Sequence, residues 1–155
     1  MPVDRATPQQ LDELGTLIRS WAEQARDTND LVLAVDQLPH GGDRRWFIRL
    51  AGEEKQVTTI WFHLRERTLH FETQFMPAPE SHAEVLFEYL LRLNNKLYGV
   101  RFAIGDENAI YLVGQLPWSA VDEEELDRIV GSSYAYTEQY FRPAMRIGYA
   151  TKFTG

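Results

Sequence analysis

Two runs of alternating apolar and polar residues, Val57–Arg65 and Thr68–Phe75, flank Glu66-Arg67, and no other stretch restricts the fold so tightly. Both runs are rich in β-branched and aromatic residues, the composition of strands. A two-residue turn at Glu66-Arg67 sets Leu64 opposite Leu69 and Phe62 opposite Phe71. Ile60, Phe62, Leu64, Leu69, Phe71 and Phe75 then share one face, while Trp61, His63, Arg65, His70, Glu72 and Gln74 share the other. Side chains alternate with a period of two, so a slip of one residue would turn the whole apolar set toward water. A sheet with one dry face needs a cover.

The cover is legible as three helices. Thr7 caps the first, Pro8 suits its first position, and Gln10 completes a capping box. Leu11, Leu14, Ile18, Trp21 and Ala25 form its apolar stripe, which fades near Asp27 to Asn29. The second is predicted to start at Ser81 with Glu84 as box partner, to carry Ala83, Leu86, Phe87, Leu90, Leu93 and Leu97 on one side, and to end at Gly99. The third opens at Ser119 with Asp122 as partner, and the acidic run Asp122 to Glu125 suits the positive end of the helix dipole. Leu126, Ile129, Val130, Ser133, Tyr140 and Phe141 follow on one face, and Pro143 is expected to kink or end it.

Trp46–Ala51 reads as a further strand before the hairpin, and Val100–Ile104 with Ala109–Leu116 as a second hairpin around Gly105-Asp106-Glu107-Asn108. Ala109 to Val113 is apolar without alternation, which suggests burial on both faces, by a helix on one side and another chain on the other. Asn29 to Arg45 stays unassigned: Leu31 to Val35 fits a strand or a short helix, and Pro39 with Gly41-Gly42 marks a loop. The predicted fold is α+β, an antiparallel five-stranded sheet with helices packed on one face, in the order helix, three strands, helix, two strands, helix. The 155 residues suit one domain, residues 1–155, with a full core.

Chemistry is mostly excluded. Without cysteine there are no disulfides, thiolate metal sites, iron–sulfur clusters or thiol nucleophiles. A formal charge of −7 opposes adsorption to nucleic acid or anionic membranes. Neither a leader-like N-terminus nor a membrane-length apolar run is present, so the expected compartment is the cytoplasm. His63 opposite His70, with Glu72 diagonal, offers two imidazoles and a carboxylate to a metal, but no spaced motif supports it and a structural role on a polar sheet face is preferred. The run Asp122 to Glu125 points to different helix faces and sits where carboxylates stay ionised, which suits capping rather than acid–base work. Gly131-Ser132-Ser133 lacks the nucleophile-elbow frame, and no phosphate-cradling glycine loop appears. Arg44-Arg45-Trp46 and Arg65-Glu66-Arg67 read as solvated turn residues. No cofactor or catalytic residue is expected.

Several strings carry a resemblance: Glu53-Glu54-Lys55, Thr68-Leu69, Leu90-Leu91-Arg92-Leu93-Asn94, Ile110 to Pro117, and Glu125-Leu126-Asp127. With the element order, they make residues 45 to 150 similar to the YbjN family of bacteria, described as regulators of sensory transduction. The resemblance implies a fold like that of type III secretion chaperones, assembled as homodimers, and supplies no catalytic motif. The resulting expectation is a non-enzymatic protein-interaction or regulatory module, chaperone-like, binding an unknown protein or peptide through an exposed sheet edge or apolar helix surface. Leu90, Leu93, Leu97, Ile110, Leu112, Trp118, Tyr136 and Tyr140 are its candidate interface residues, drawn from the second helix, the last hairpin and the aromatic C-terminal tract. The alternative is a small-molecule sensor whose cavity lies between helices and sheet, lined by Trp61, Tyr111 or Tyr136.

Overall fold

In the computed structural model, residues 3–38 and 44–152 are described. They form three α-helices, α1 (Pro8–Thr28), α2 (Ala83–Asn94) and α3 (Glu123–Gly148), and six strands, β1 (Val32–Gln37), β2 (Arg44–Ala51), β3 (Val57–Leu64), β4 (Thr68–Met76), β5 (Arg101–Ile104) and β6 (Ile110–Pro117). All neighbouring strands pair antiparallel in the order β1-β2-β3-β4-β6-β5. The sheet therefore has six strands rather than the predicted five. The extra one, β1, lies in the unassigned stretch. It pairs only with β2, is interrupted by a register shift between Val32 and Ala34, and has no alternating burial to betray it. The predicted loop at Pro39 and Gly41-Gly42 lies outside the described residues.

The β3–β4 register is the predicted one, with Leu64 against Leu69, His63 against His70 and Phe62 against Phe71. Trp46, Ile48 and Leu50 of β2, the apolar set of β3 and β4, and Ile110, Leu112 and Leu116 of β6 are all buried on one face. The helices pack there. Trp21 of α1 meets the Phe62 ring edge-on at 5.7 Å and donates its indole N–H to Asp127 of α3 at 2.8 Å, joining two helices to the sheet. Phe75 does the same between Phe102 of β5 and Phe141 of α3. β6 alternates after all, with Ile110, Leu112, Gly114 and Leu116 inward and Tyr111, Val113 and Gln115 toward the helix-free face. Gly114 is required: a Cβ there would stand 2.4 Å from the Phe71 ring.

The helix ends reveal where tertiary contacts override local signals. The α1 capping box of Thr7 and Gln10 forms as predicted. Ser81 does not cap α2. Its hydroxyl donates to the Ile147 carbonyl and accepts from the Ala150 N–H, so the end of α3 has captured it, and the left-handed His82 takes the N-cap position with no side-chain bond. α2 stops at Asn94, which leaves Leu97 beyond the helix, and the left-handed Gly99 follows. Asp122, not Ser119, caps α3 by accepting from Glu125 N–H at 2.8 Å. α3 also continues through Pro143 to Gly148, although the lost ladder bond and ring clash cost about 3 kcal/mol. The last turn is held from outside: Ala144 and Gly148 are buried, Glu80 and Ser81 donate to the Gly148 carbonyl, and the Tyr149 hydroxyl reaches Ala78 O at 2.6 Å.

One tether ties α3 to the turn between β2 and β3. The Glu138 carboxylate accepts the backbone N–H groups of Glu53, Glu54 and Lys55 at 2.5, 2.9 and 3.1 Å. Burial pushes this carboxyl up, but the three N–H groups and the Tyr134 hydroxyl outweigh it and hold its pKa below the usual range. In the same turn, burial lowers the Lys55 ammonium to about 8.

Candidate functional site

The helical period sends Leu86, Leu90 and Leu93 of α2 into the core. The same period leaves Leu91 outward at 68% exposure, with Val85 also exposed, where a helix with one core face ordinarily carries polar residues. Tyr98, beyond the helix end, and Ile104, at the end of β5, are exposed as well. Between α2 and β5 runs a groove of about 330 Å³. Leu91 and Ile104 flank it, buried Leu90, Phe102 and Ile110 form its floor, and Asn94 is its polar member. Contiguous apolar surface of this kind is what marks an interaction face on a folded domain.

Asn94 has a second effect. Its amide N–H donates to the Phe102 carbonyl at 3.1 Å and its carbonyl accepts the Phe102 N–H at 2.7 Å. Both backbone groups of Phe102 are taken, so the middle of the four-residue edge strand β5 is already occupied. At the opposite edge, the Asp36 carboxylate accepts the Gln37 N–H at 2.8 Å, and the shift between Val32 and Ala34 breaks the strand's regularity. Both sheet edges are blunted against an added strand. The α2–β5 groove is not blunted in this way.

The candidate interface residues divide between surface and interior. Leu90 and Ile110 reach the groove as its floor, whereas Leu93 and Leu112 are buried in the chain's own core. Leu97 is half-buried beside the end of α2. Trp118 donates its indole N–H to Asp4 O at 2.8 Å, a contact within the chain. Tyr136 stacks on Tyr140 at 6.4 Å along α3, and its hydroxyl accepts the Tyr98 N–H. Exposed Val85, Leu91, Tyr98 and Ile104 were not singled out by sequence reasoning. In the run Leu90-Leu91-Arg92-Leu93, only the phase of the helix says which leucine faces out.

The residues considered for a metal or a small molecule lie elsewhere. His63 and His70 face each other on the helix-free side of the sheet, with Glu72 opposite Trp61. Among the described residues, no group of three histidine or carboxylate side chains is placed to hold a metal. Trp61 and Tyr111 also lie on that helix-free side and so do not line a cavity between helices and sheet as predicted, while Tyr136 is on α3 and packs against the core. Arg44 and Arg45 are strand residues of β2 rather than turn residues. No helix among the described residues is long and apolar enough to cross a membrane.

Some known proteins are similar in sequence and others in fold. An uncharacterized protein of Mycobacterium tuberculosis is 28% identical over 127 residues, covering 82% of this chain and 69% of its own length. One from Mycobacterium leprae is 28% identical over 105 residues, covering 68% and 57%. Among solved structures, the ExsC–ExsE complex contains a chain with a TM-score of 0.58 at 14% identity, covering 85% of this chain and 93% of its own. The HopA1–SchA chaperone–effector complex gives 0.57 at 11%, covering 88% and 98%. The heterodimeric ExoU–SpcU complex of the Pseudomonas aeruginosa type III secretion system gives 0.53 at 16%, covering 82% and 96%. At these identities the likeness is one of fold. The family model for YbjN, "Putative bacterial sensory transduction regulator", matches residues 18–144 and so takes in half of α1 and the unforeseen β1; this chain belongs to the YbjN family.

Proposed function

We propose that the whole chain, residues 1–155, is one non-enzymatic domain, a protein-interaction or regulatory module of chaperone-like character that works as a homodimer in the bacterial cytoplasm. The exposed apolar surface of α2 and β5 carries this reading. A second copy is its occupant, α2 packing against α2 across a two-fold axis so that each Leu91 enters the partner's groove. The partner protein or peptide is then held by the dimer. Supporting this, the three solved structures named above are complexes with another protein, one of them a chaperone with its effector. Light scattering at micromolar concentration tests the dimer. Twice the chain mass is expected, with Leu91→Glu monomeric and normally folded by circular dichroism, because a carboxylate cannot be desolvated in an apolar groove. A monomeric wild-type chain would overturn the homodimer.

A further inference from the structure

The helix-free face of the sheet concentrates positive charge in a chain whose overall charge is −7. The strand register explains how. One row across the sheet runs Arg45, His63, His70, Gln115 through β2, β3, β4 and β6, and every member offers hydrogen-bond donors. Arg65 directly follows β3, and its Nε donates to Nδ1 of His63 at 3.3 Å. The next row brings Trp61, Glu72, Val113 and Arg101 side by side. Between the rows lies a basin of about 440 Å³, lined by the guanidinium-bearing Arg45, Arg65 and Arg101, both imidazoles and Trp61. Among the described residues, Glu72 is the one carboxylate in its lining. The volume is that of a small-molecule site rather than of an extended groove.

We propose that this basin binds a phosphorylated small molecule, its phosphate taken by the arginines and histidines and its flat or apolar part laid on Trp61. Guanidinium forks match the paired oxygens of a phosphate, and a dianionic group can satisfy more than one of them, where a single carboxylate has oxygens for only one fork. The positive field is felt by His70, whose pKa is lowered by burial and then by Arg65 and Arg101. Trp61 is already backed by Phe47 at 5.1 Å, which fixes its ring as a platform. The site lies across the sheet from the groove assigned to the second copy, and neither depends on the other.

AMP serves as the probe, with adenosine, pyrophosphate, citrate and a hexaglutamate peptide as comparisons. The readouts are the imidazole proton signals of His63 and His70 and the fluorescence difference between the wild type and Trp61→Phe. AMP and pyrophosphate are expected to give saturable shifts at both histidines, adenosine none, and only AMP should change Trp61 emission. Arg65→Gln and Arg101→Gln should each weaken AMP by about tenfold, the loss of one charge-assisted pair, with unchanged melting temperature. Arg92→Gln, on the exposed side of α2, should bind AMP as the wild type does. Citrate binding as tightly as AMP would overturn the assignment to phosphate. Hexaglutamate binding where AMP and pyrophosphate do not would overturn it in favour of an acidic peptide. Absence of saturable shifts up to about 10 mM AMP, a binding energy below roughly 3 kcal/mol, would remove the site altogether. Leu91→Glu should leave all these results unchanged, which separates this site's failure from failure of the dimer.

Discussion

Replacing Glu138 by Gln removes one charge and leaves the side chain nearly the same size, so it isolates what the carboxylate does for the β2–β3 turn. In the native chain two oxygens accept three backbone N–H groups. Gln keeps one acceptor and turns an NH2 toward donors that it cannot satisfy. Hydrogen bonds to a charged group are worth about 1.5–3 kcal/mol against about 0.5–1.5 for neutral ones. Losing the charge on the bonds that survive and leaving at least one N–H to water gives a cost of about 2 kcal/mol, after discounting for the solvent at this turn. In a domain of this size that lowers the melting temperature by about 4–8 °C. The pH dependence gives a sharper check. A carboxyl held below its ordinary 4.5 stabilises the fold while ionised, above that value, and the stabilisation is lost as the pH falls through the folded-state value. Melting curves followed by circular dichroism from pH 7 to pH 3 should show the full gap between wild type and Glu138→Gln at neutral pH and a closing gap in acid. Equal melting at pH 7, or a gap that stays constant throughout, would refute the charge-based reasoning.

Other substitutions have outcomes set by equally specific contacts. Thr58 is fully buried and its hydroxyl has no hydrogen-bond partner among the described residues, so Thr58→Val should raise stability by about 1 kcal/mol in urea titration, and a loss would show that the hydroxyl is paired. Gly114→Ala forces a methyl against both the Phe71 ring and the Gly99 carbonyl and should cost about 1–3 kcal/mol by the same titration; an unchanged midpoint would refute the close approach. Asn94→Ala frees the backbone of Phe102 at the sheet edge and should cost about 1–2 kcal/mol. It should also increase light scattering on prolonged incubation, because an open edge recruits strands; unchanged scattering would argue that Asn94 does not guard the edge.

How far the sequence disclosed the fold depends on how local each decision is. The β3–β4 register was readable because a two-residue turn and strict alternation fix it from within eighteen or so neighbouring positions. The α1 cap was readable for the same reason. Ser81 was misread because its hydroxyl is claimed by residues 66 and 69 positions away. β1 escaped notice because an edge strand with a shifted register buries no regular stripe. Pro143 does not end α3 because the contacts that hold the helix's last turn come from the segment before α2. For the proposed interaction surface, the sequence pointed to the same elements that line the groove, α2 and the last hairpin, but several of the chosen side chains face inward. The basin was invisible for a different cause. Arg45 and Arg65 look like ordinary turn arginines until the pairing of distant strands brings them and Arg101 round one basin.

The placement of α3 also bears on how the molecule is made. Ribosomes add about 5–20 residues each second, so all six strands emerge before any of the helix that covers the middle of the sheet. During that interval Phe75 and Ile60 lack the cover that α3 provides, while α1 is at hand for β1 and β2 and α2 for β5. Folding must wait for synthesis to reach at least Gly148, whose carbonyl closes the chain onto Glu80 and Ser81. A nascent chain stalled within α3 would expose a broad apolar sheet face, the kind of surface that recruits cellular folding factors or aggregates, whereas one released past Gly148 would hide it within a single cooperative step.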